Sequence, residues 1–71
     1  MKTEVQRRFG VRLRELRRKA ELSQEDLALE AGLDRTYVSS VERGERNISL
    51  QNIAKLAKAL GARAARLLDT L

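Results

Sequence analysis

Hydrophobic residues recur every three or four positions along most of the chain, which is the spacing of one face of an α-helix. The first such stripe consists of Val5, Phe9, Leu13, Leu16 and Ala20. No alternating run of β-branched residues and no Asn-Gly or Asp-Gly turn accompanies it, so strands are not predicted. The pattern therefore predicts an all-α fold whose first helix buries this stripe.

Capping residues divide the middle of the chain into two short helices. Ser23 and Asp26 form a capping box, and Gly32 supplies a left-handed stop. They predict a second helix over about residues 24–31. A third helix begins after the cap Asp34 and ends before Gly44.

Two more helices are predicted in the last third of the chain. Ser49 caps the fourth, and Gly61 closes it. Its apolar residues are Leu50, Ile53, Leu56, Ala57 and Leu60. The fifth runs from about Arg63, with Ala64, Leu67, Leu68 and Leu71 on one side. The predicted fold is a compact five-helix bundle, with residues 1–71 forming a single domain that leaves no room for a sensing or catalytic domain.

The composition narrows the function classes. The chain contains no cysteine and no histidine, which excludes disulfides, Cys/His zinc sites and Cys–His or Ser–His nucleophiles. No carboxylate pair at catalytic spacing and no Gly-rich phosphate loop is present. We therefore expect no enzymatic activity, no metal and no cofactor. No apolar run reaches the ~18 residues of a membrane span, so a soluble cytoplasmic protein is expected.

The net charge of +5 indicates an anionic partner. With 42% hydrophobic residues the chain can fold, so it does not resemble a disordered basic tail. A compact basic domain makes nucleic acid the leading partner class and an anionic membrane surface the second. The absence of Trp and the use of Phe9 in the core stripe make the membrane alternative remote.

The third helix, within "GLDRTYVSSVERG", has an unusual polar face. At 100° per residue, five residues lie within about 140° of one another: Arg35, Ser39, Arg43, Thr36 and Ser40. Arginine can bind guanine through two hydrogen bonds, and hydroxyls can donate to or accept from any base. Short side chains also let a helix enter the major groove deeply. A solvated helix face is the alternative interpretation.

The connection before this helix indicates a helix-turn-helix, because only Gly32 and Leu33 separate the second helix from the third helix's cap. Residues 24–43 resemble the Cro/repressor (XRE) family of regulators with a lambda-repressor-like fold. The matching residues are Leu27, Ala28, Ala31, Gly32, Leu33, Val38 and Val41. The following "ERGERNISLQNIAKLAKALG" extends the resemblance over residues 9–61, although Ile48 stands where the family often has proline.

This resemblance implies a set of contacts to double-stranded DNA. The base-reading candidates are Arg35, Thr36, Ser39 and Ser40. The phosphate-binding candidates are Gln24, Tyr37, Arg43, Arg46 and Asn47. Tyr37 is alternatively a core residue, and Arg46 a minor-groove contact or a solvated loop residue. The family also implies an ion pair between Glu42 and Arg17.

The predicted partner chain is a second copy of the protein. Leu67, Leu68 and Leu71 offer more apolar surface than one small bundle needs, so helices four and five, about residues 49–71, are predicted to form a homodimer interface. The two recognition helices would lie about 34 Å apart. Packing within one chain is the alternative.

The predicted function is sequence-specific regulation of transcription from a palindromic operator. The chain resembles controller proteins of restriction–modification systems. Phage or host repressors and an antitoxin-like interaction module are the alternatives. An activator would also contact RNA polymerase.

Overall fold

The computed structural model describes residues 2–71, which form five α-helices. They are α1 (Glu4–Lys19), α2 (Gln24–Ala31), α3 (Arg35–Glu42), α4 (Leu50–Leu60) and α5 (Ala64–Leu68). The described part of the chain contains no strand. The predicted all-α architecture is therefore confirmed. None of these helices is long and apolar enough to cross a membrane.

Local sequence signals set the ends of α2 and α4 as predicted, whereas α5 ends at Leu68, so the prediction that Leu71 belongs to this helix was wrong. The Ser23 hydroxyl accepts from the Asp26 backbone N–H at 2.9 Å, and the Asp26 carboxylate accepts from the Ser23 N–H at 3.2 Å. Gly32 ends α2 with φ of 69°, in the left-handed region where a side chain is disfavoured. Gly61 ends α4 in the same way, with φ of 66°. A further capping box, between Thr3 and Gln6, was not predicted.

All five helices contribute to one hydrophobic core. Its fully buried side chains, each less than 2% exposed, are Leu13, Leu27, Leu56, Leu67, Val38 and Val41. α3 packs against α1 and α2, α4 packs against α2 and α5, and α5 also contacts α1. α3 is thus anchored along one side by the body of the bundle.

The predicted apolar stripes were too long at the helix ends. Val5 is 56% exposed and Leu50 is 82% exposed, and Ala20 and Ala64 are also exposed. Each lies in the first or last turn of a helix or at its cap. The helical period placed these residues on the correct face, but no neighbouring element covers the helix there.

Gly10 determines how closely α1 approaches α3. A Cβ atom at this position would lie 2.5 Å from the carbonyl oxygen of Glu42 and 2.6 Å from that of Val41. These distances are far below ordinary van der Waals contact. Only glycine therefore lets the last turn of α3 rest on the α1 backbone, and this contact helps to fix the position of α3.

Candidate nucleic-acid interface

α2 and α3 are joined by a tight turn. Gly32 takes the left-handed conformation, and the Leu33 N–H donates to the Ala28 carbonyl at 2.8 Å. The Asp34 carboxylate then accepts from the Thr36 N–H at 2.8 Å and begins α3. Val38 is buried against the body. The opposite side of α3 consequently faces solvent.

The exposed face of α3 carries three of the four predicted base-reading residues. Arg35 and Thr36 are exposed and Ser39 is half-buried. Within residues 2–71, no carboxylate pairs with Arg35. The Thr36 hydroxyl donates to Asp34 at 2.5 Å, and this bond, with the backbone bond from Thr36, holds the pKa of Asp34 below its usual value. Arg35, Thr36 and Ser39 are hereafter called the α3 outer face.

Ser40, the fourth predicted base reader, does not belong to this face. It is 6% exposed. Its hydroxyl donates to the Tyr37 carbonyl at 2.8 Å and accepts from Arg46 Nε at 3.0 Å. At 100° per residue, Ser40 lies at the margin of the polar face of α3. At this margin a small rotation of the helix determines whether a side chain is exposed to solvent or packed against the protein. Its assignment as a base-reading residue is therefore corrected.

The predicted phosphate-binding residues after α3 are arranged around its C-terminal end. Arg43 is exposed, contacts the Ser39 hydroxyl, and pairs with Glu45 at 3.1 Å. That bond from Arg43 lowers the pKa of Glu45. Arg46 and Asn47 are both exposed in the following loop. The guanidinium carbon of Arg46 lies 5.4 Å from the centre of the Tyr37 ring.

Tyr37 lies at the edge of the core, which is one of the two roles that the sequence left open. Its ring packs against the hydrophobic core and is partly buried. Its hydroxyl accepts a hydrogen bond from the Asn52 side-chain amide at 3.0 Å. Tyr37 thereby connects α3 to α4 and keeps a polar atom at the edge of the core.

The Gln24 side chain is hydrogen-bonded to a buried ion pair that lies beneath the turn. Arg17 donates to the Glu42 carboxylate from Nε at 2.6 Å and from Nη2 at 3.0 Å, which confirms the expected ion pair. Gln24 donates to the same carboxylate at 3.1 Å. Burial raises the pKa of Glu42, but the bonds from Arg17 and Gln24 outweigh it and the pKa is lowered overall. The start of α2 and the end of α3 thus share one carboxylate.

The three leucines predicted to form a dimer interface divide into two groups. Leu67 is fully buried within the chain, so it offers no surface to a partner, and its assignment is corrected. Leu68 is 36% exposed and Leu71 is 47% exposed. Helical spacing grouped the three leucines, but it could not show that Leu67 is buried in the core of its own chain while the other two are not.

This geometry defines the class of the protein. A short helix anchored on its apolar side follows another across a glycine turn, and its other side offers a guanidinium and hydroxyls to solvent. The arrangement is that of a DNA-binding helix-turn-helix protein. The helix-turn-helix family model matches residues 13–67, and the chain belongs to this family, as the sequence resemblance predicted.

Several relatives are control proteins. The chain is 53% identical over 62 residues to the control protein C.BamHI of Bacillus amyloliquefaciens, a match that covers 86% of this chain and 76% of that one. It is 49% identical over 59 residues to the control protein C.MunI of a Mycoplasma species, covering 82% and 80% of the two chains.

Solved structures show the same fold. The restriction–modification controller C.AhdI from Aeromonas hydrophila has a TM-score of 0.86 and 58% identity, covering 87% of this chain and 94% of that chain. C.Esp1396I bound to a 19-base-pair DNA duplex has a TM-score of 0.87 and 26% identity, covering 96% and 91%.

Proposed function

We propose that the chain regulates transcription of a restriction–modification system by placing α3 in the major groove of an operator. Its relatives C.BamHI and C.MunI are control proteins, and C.Esp1396I has been solved with a DNA duplex. The observation that carries the proposal is the α3 outer face, where Arg35 is exposed beside two hydroxyl residues. The net charge of +5 favours an anionic partner.

The proposed contacts fall into two groups. Arg35, Thr36 and Ser39 read base edges, because an arginine fits guanine O6 and N7 and the Thr36 methyl fits a thymine methyl. Phosphate contacts fix the register and orientation of the protein on the duplex without carrying sequence information directly. The residues proposed for them are Gln24, Arg43, Arg46, Asn47 and the Tyr37 hydroxyl.

A homodimer on a palindromic operator is part of the proposal. Leu68 and Leu71 are partly exposed and line a groove of about 120 Å³ together with Phe9, Ile48 and Ile53. Burying these leucines against a second copy removes apolar surface from water. A two-fold dimer presents two α3 helices to half-sites about 34 Å apart. Regulation then follows protein concentration through coupled dimerisation and DNA binding.

Footprinting on the DNA upstream of the chain's own gene tests this function. The expected result is a protected site with two related halves separated by about one helical turn. Protection should weaken as salt rises, because phosphate contacts release counterions. Absence of sequence-dependent protection at low salt would refute the proposal. Transcription assays with purified RNA polymerase then distinguish activation from repression.

A further inference from the structure

Two adjacent serines of α3 each contact an arginine, but the two arginines differ in what else holds them. Ser39 accepts from Arg43, and Arg43 also pairs with Glu45, whose carboxylate neutralises its charge locally. Ser40 accepts from Arg46 Nε at 3.0 Å. Within residues 2–71, no carboxylate pairs with Arg46. The charge of Arg46 still contributes to lowering the pKa of Glu45, but the two terminal amino groups of Arg46 are not bound by a carboxylate.

The Arg46 side chain is held on two sides. Ser40 accepts the Nε hydrogen, and the guanidinium carbon lies 5.4 Å from the Tyr37 ring centre, within the range of a cation–π contact. Tyr37 is itself fixed, since its hydroxyl accepts from Asn52 and its ring packs on the core. The loop arginine is thus attached to α3 and, through Tyr37, to α4.

The Ser40 hydroxyl is a directed acceptor. A serine has one hydroxyl hydrogen and two lone pairs. The hydrogen is used in the 2.8 Å bond to the Tyr37 carbonyl within α3. The oxygen can therefore only accept from Arg46, and because Ser40 is 6% exposed, little water competes for that bond. Ser40 is thus a buried acceptor near the C-terminal end of α3, and the arginine that it holds is exposed.

We propose that Ser40 is a positioning residue that orients the Arg46 guanidinium so that its two terminal nitrogens bind one DNA phosphate. This inference rests on the proposed function. Arginine binds a phosphate through two parallel hydrogen bonds, and an arginine held in place loses less side-chain freedom on binding. With Nε on Ser40, Nη1 and Nη2 remain for the phosphate. A residue of α3 thereby orients a contact that the following loop makes with the DNA backbone.

A double-mutant cycle tests the coupling. We measure operator affinity for the wild type, Ser40→Ala, Arg46→Ala and the double variant, and we compare thermal unfolding of all four. Ser40→Ala should weaken binding roughly three- to tenfold, the size of one net hydrogen bond. In the Arg46→Ala background the same substitution should have almost no effect. Ser39→Ala in that background is the matched control and should keep its full effect.

A second measurement does not depend on DNA. The Arg46 Nε–H signal in the NMR spectrum of the free wild-type protein should exchange slowly with water, and Ser40→Ala should speed its exchange. Should Ser40→Ala fail to fold, Arg46→Lys keeps the charge and removes the Nε donor. Because lysine also lacks the two terminal nitrogens proposed for the phosphate, this variant should weaken operator binding at least as much as Ser40→Ala does.

The outcomes separate this inference from the proposed function. Equal loss from Ser40→Ala in both backgrounds, or no loss in either, overturns the positioning role while the protein still binds its operator. An Arg46 Nε–H that exchanges rapidly in the free wild type also overturns it. A wild-type chain that binds no DNA overturns the proposed function, and the phosphate contact with it.

Discussion

The Glu42 carboxylate lies beneath the helix-turn-helix and takes two hydrogen bonds from Arg17, at 2.6 and 3.0 Å. The Glu42 side chain is fully buried and that of Arg17 is 10% exposed. Arg17 also donates to the Leu22 carbonyl at 2.9 Å, just before α2. One arginine of α1 therefore joins the end of α3 to the segment that enters α2.

Replacing Glu42 with Ala should destabilise the fold strongly. The substitution leaves the buried Arg17 guanidinium without its carboxylate, and breaking one side of a buried pair costs about 3–5 kcal/mol. Urea unfolding measures the loss. Glu30→Ala, at an exposed position of α2, is the control and should change the free energy of unfolding by no more than about 0.5 kcal/mol. Similar values for the two variants would contradict the role of the ion pair.

The same carboxylate predicts a pH dependence of stability. The pKa of Glu42 lies below its ordinary value of 4.5 in the folded protein. Its contribution to stability is therefore complete above the unfolded-state pKa and is lost as pH falls through the folded-state pKa. Unfolding free energies measured from neutral pH to well below 4.5 should fall more steeply for the wild type than for Glu42→Gln. Identical slopes would show that Glu42 does not titrate as described.

Gly10→Ala should destabilise the protein, although this substitution normally stabilises a helix interior. The usual gain is about 0.5–1 kcal/mol. Here the new Cβ would lie 2.5 Å from a backbone carbonyl of α3, and overpacking of this kind costs about 1–3 kcal/mol. Thermal unfolding shows directly whether the substitution stabilises or destabilises the protein. A stabilised variant would mean that α1 and α3 are not in such close contact.

Removing the two exposed leucines near the C-terminus should weaken the proposed dimer. Leu68→Ser with Leu71→Ser removes apolar surface, and the dimer dissociation constant should rise roughly tenfold or more. Sedimentation equilibrium measures this constant. Leu29→Ser is the matched control, since Leu29 is 82% exposed on α2. Unchanged association in the double variant, or a monomeric wild type at all workable concentrations, would refute the interface.

Local signals predicted the boundaries of α2, α3 and α4 well, whereas the end of α5 and the contacts between helices were harder to predict. The caps at Ser23 and Asp34 and the stop at Gly32 act within a few residues, so the sequence contains all the information that they need. The close approach at Gly10 depends on where α3 crosses α1, and a helix-interior glycine gives no sign of it.

In the candidate site, too, local features could be predicted from the sequence and contacts between distant residues could not. Helical periodicity correctly predicted that Arg35 and Thr36 are exposed and that Val38 is buried. It could not predict that Ser40 faces Arg46, because that bond requires the path of the loop after α3.

Outside the site, helical periodicity also could not predict that Arg12 donates to the Arg66 carbonyl and pairs with Asp69, since those residues are far apart in the sequence. The family resemblance supplied the Arg17 partner of Glu42, which spacing alone did not reveal.

The central claim is that the α3 outer face reads DNA bases. The most direct test is to measure the base-pair preference of the Arg35→Ala variant. Affinity is measured for the operator, for operators substituted at each position, and for random DNA, with Arg63→Ala as an exposed control arginine at the cap of α5. Loss of one bidentate contact should cost about 1–3 kcal/mol on the operator, relax the preference at one base position and leave random DNA nearly unaffected. Equal losses on operator and random DNA, or a loss no larger than that of Arg63→Ala, would contradict the claim.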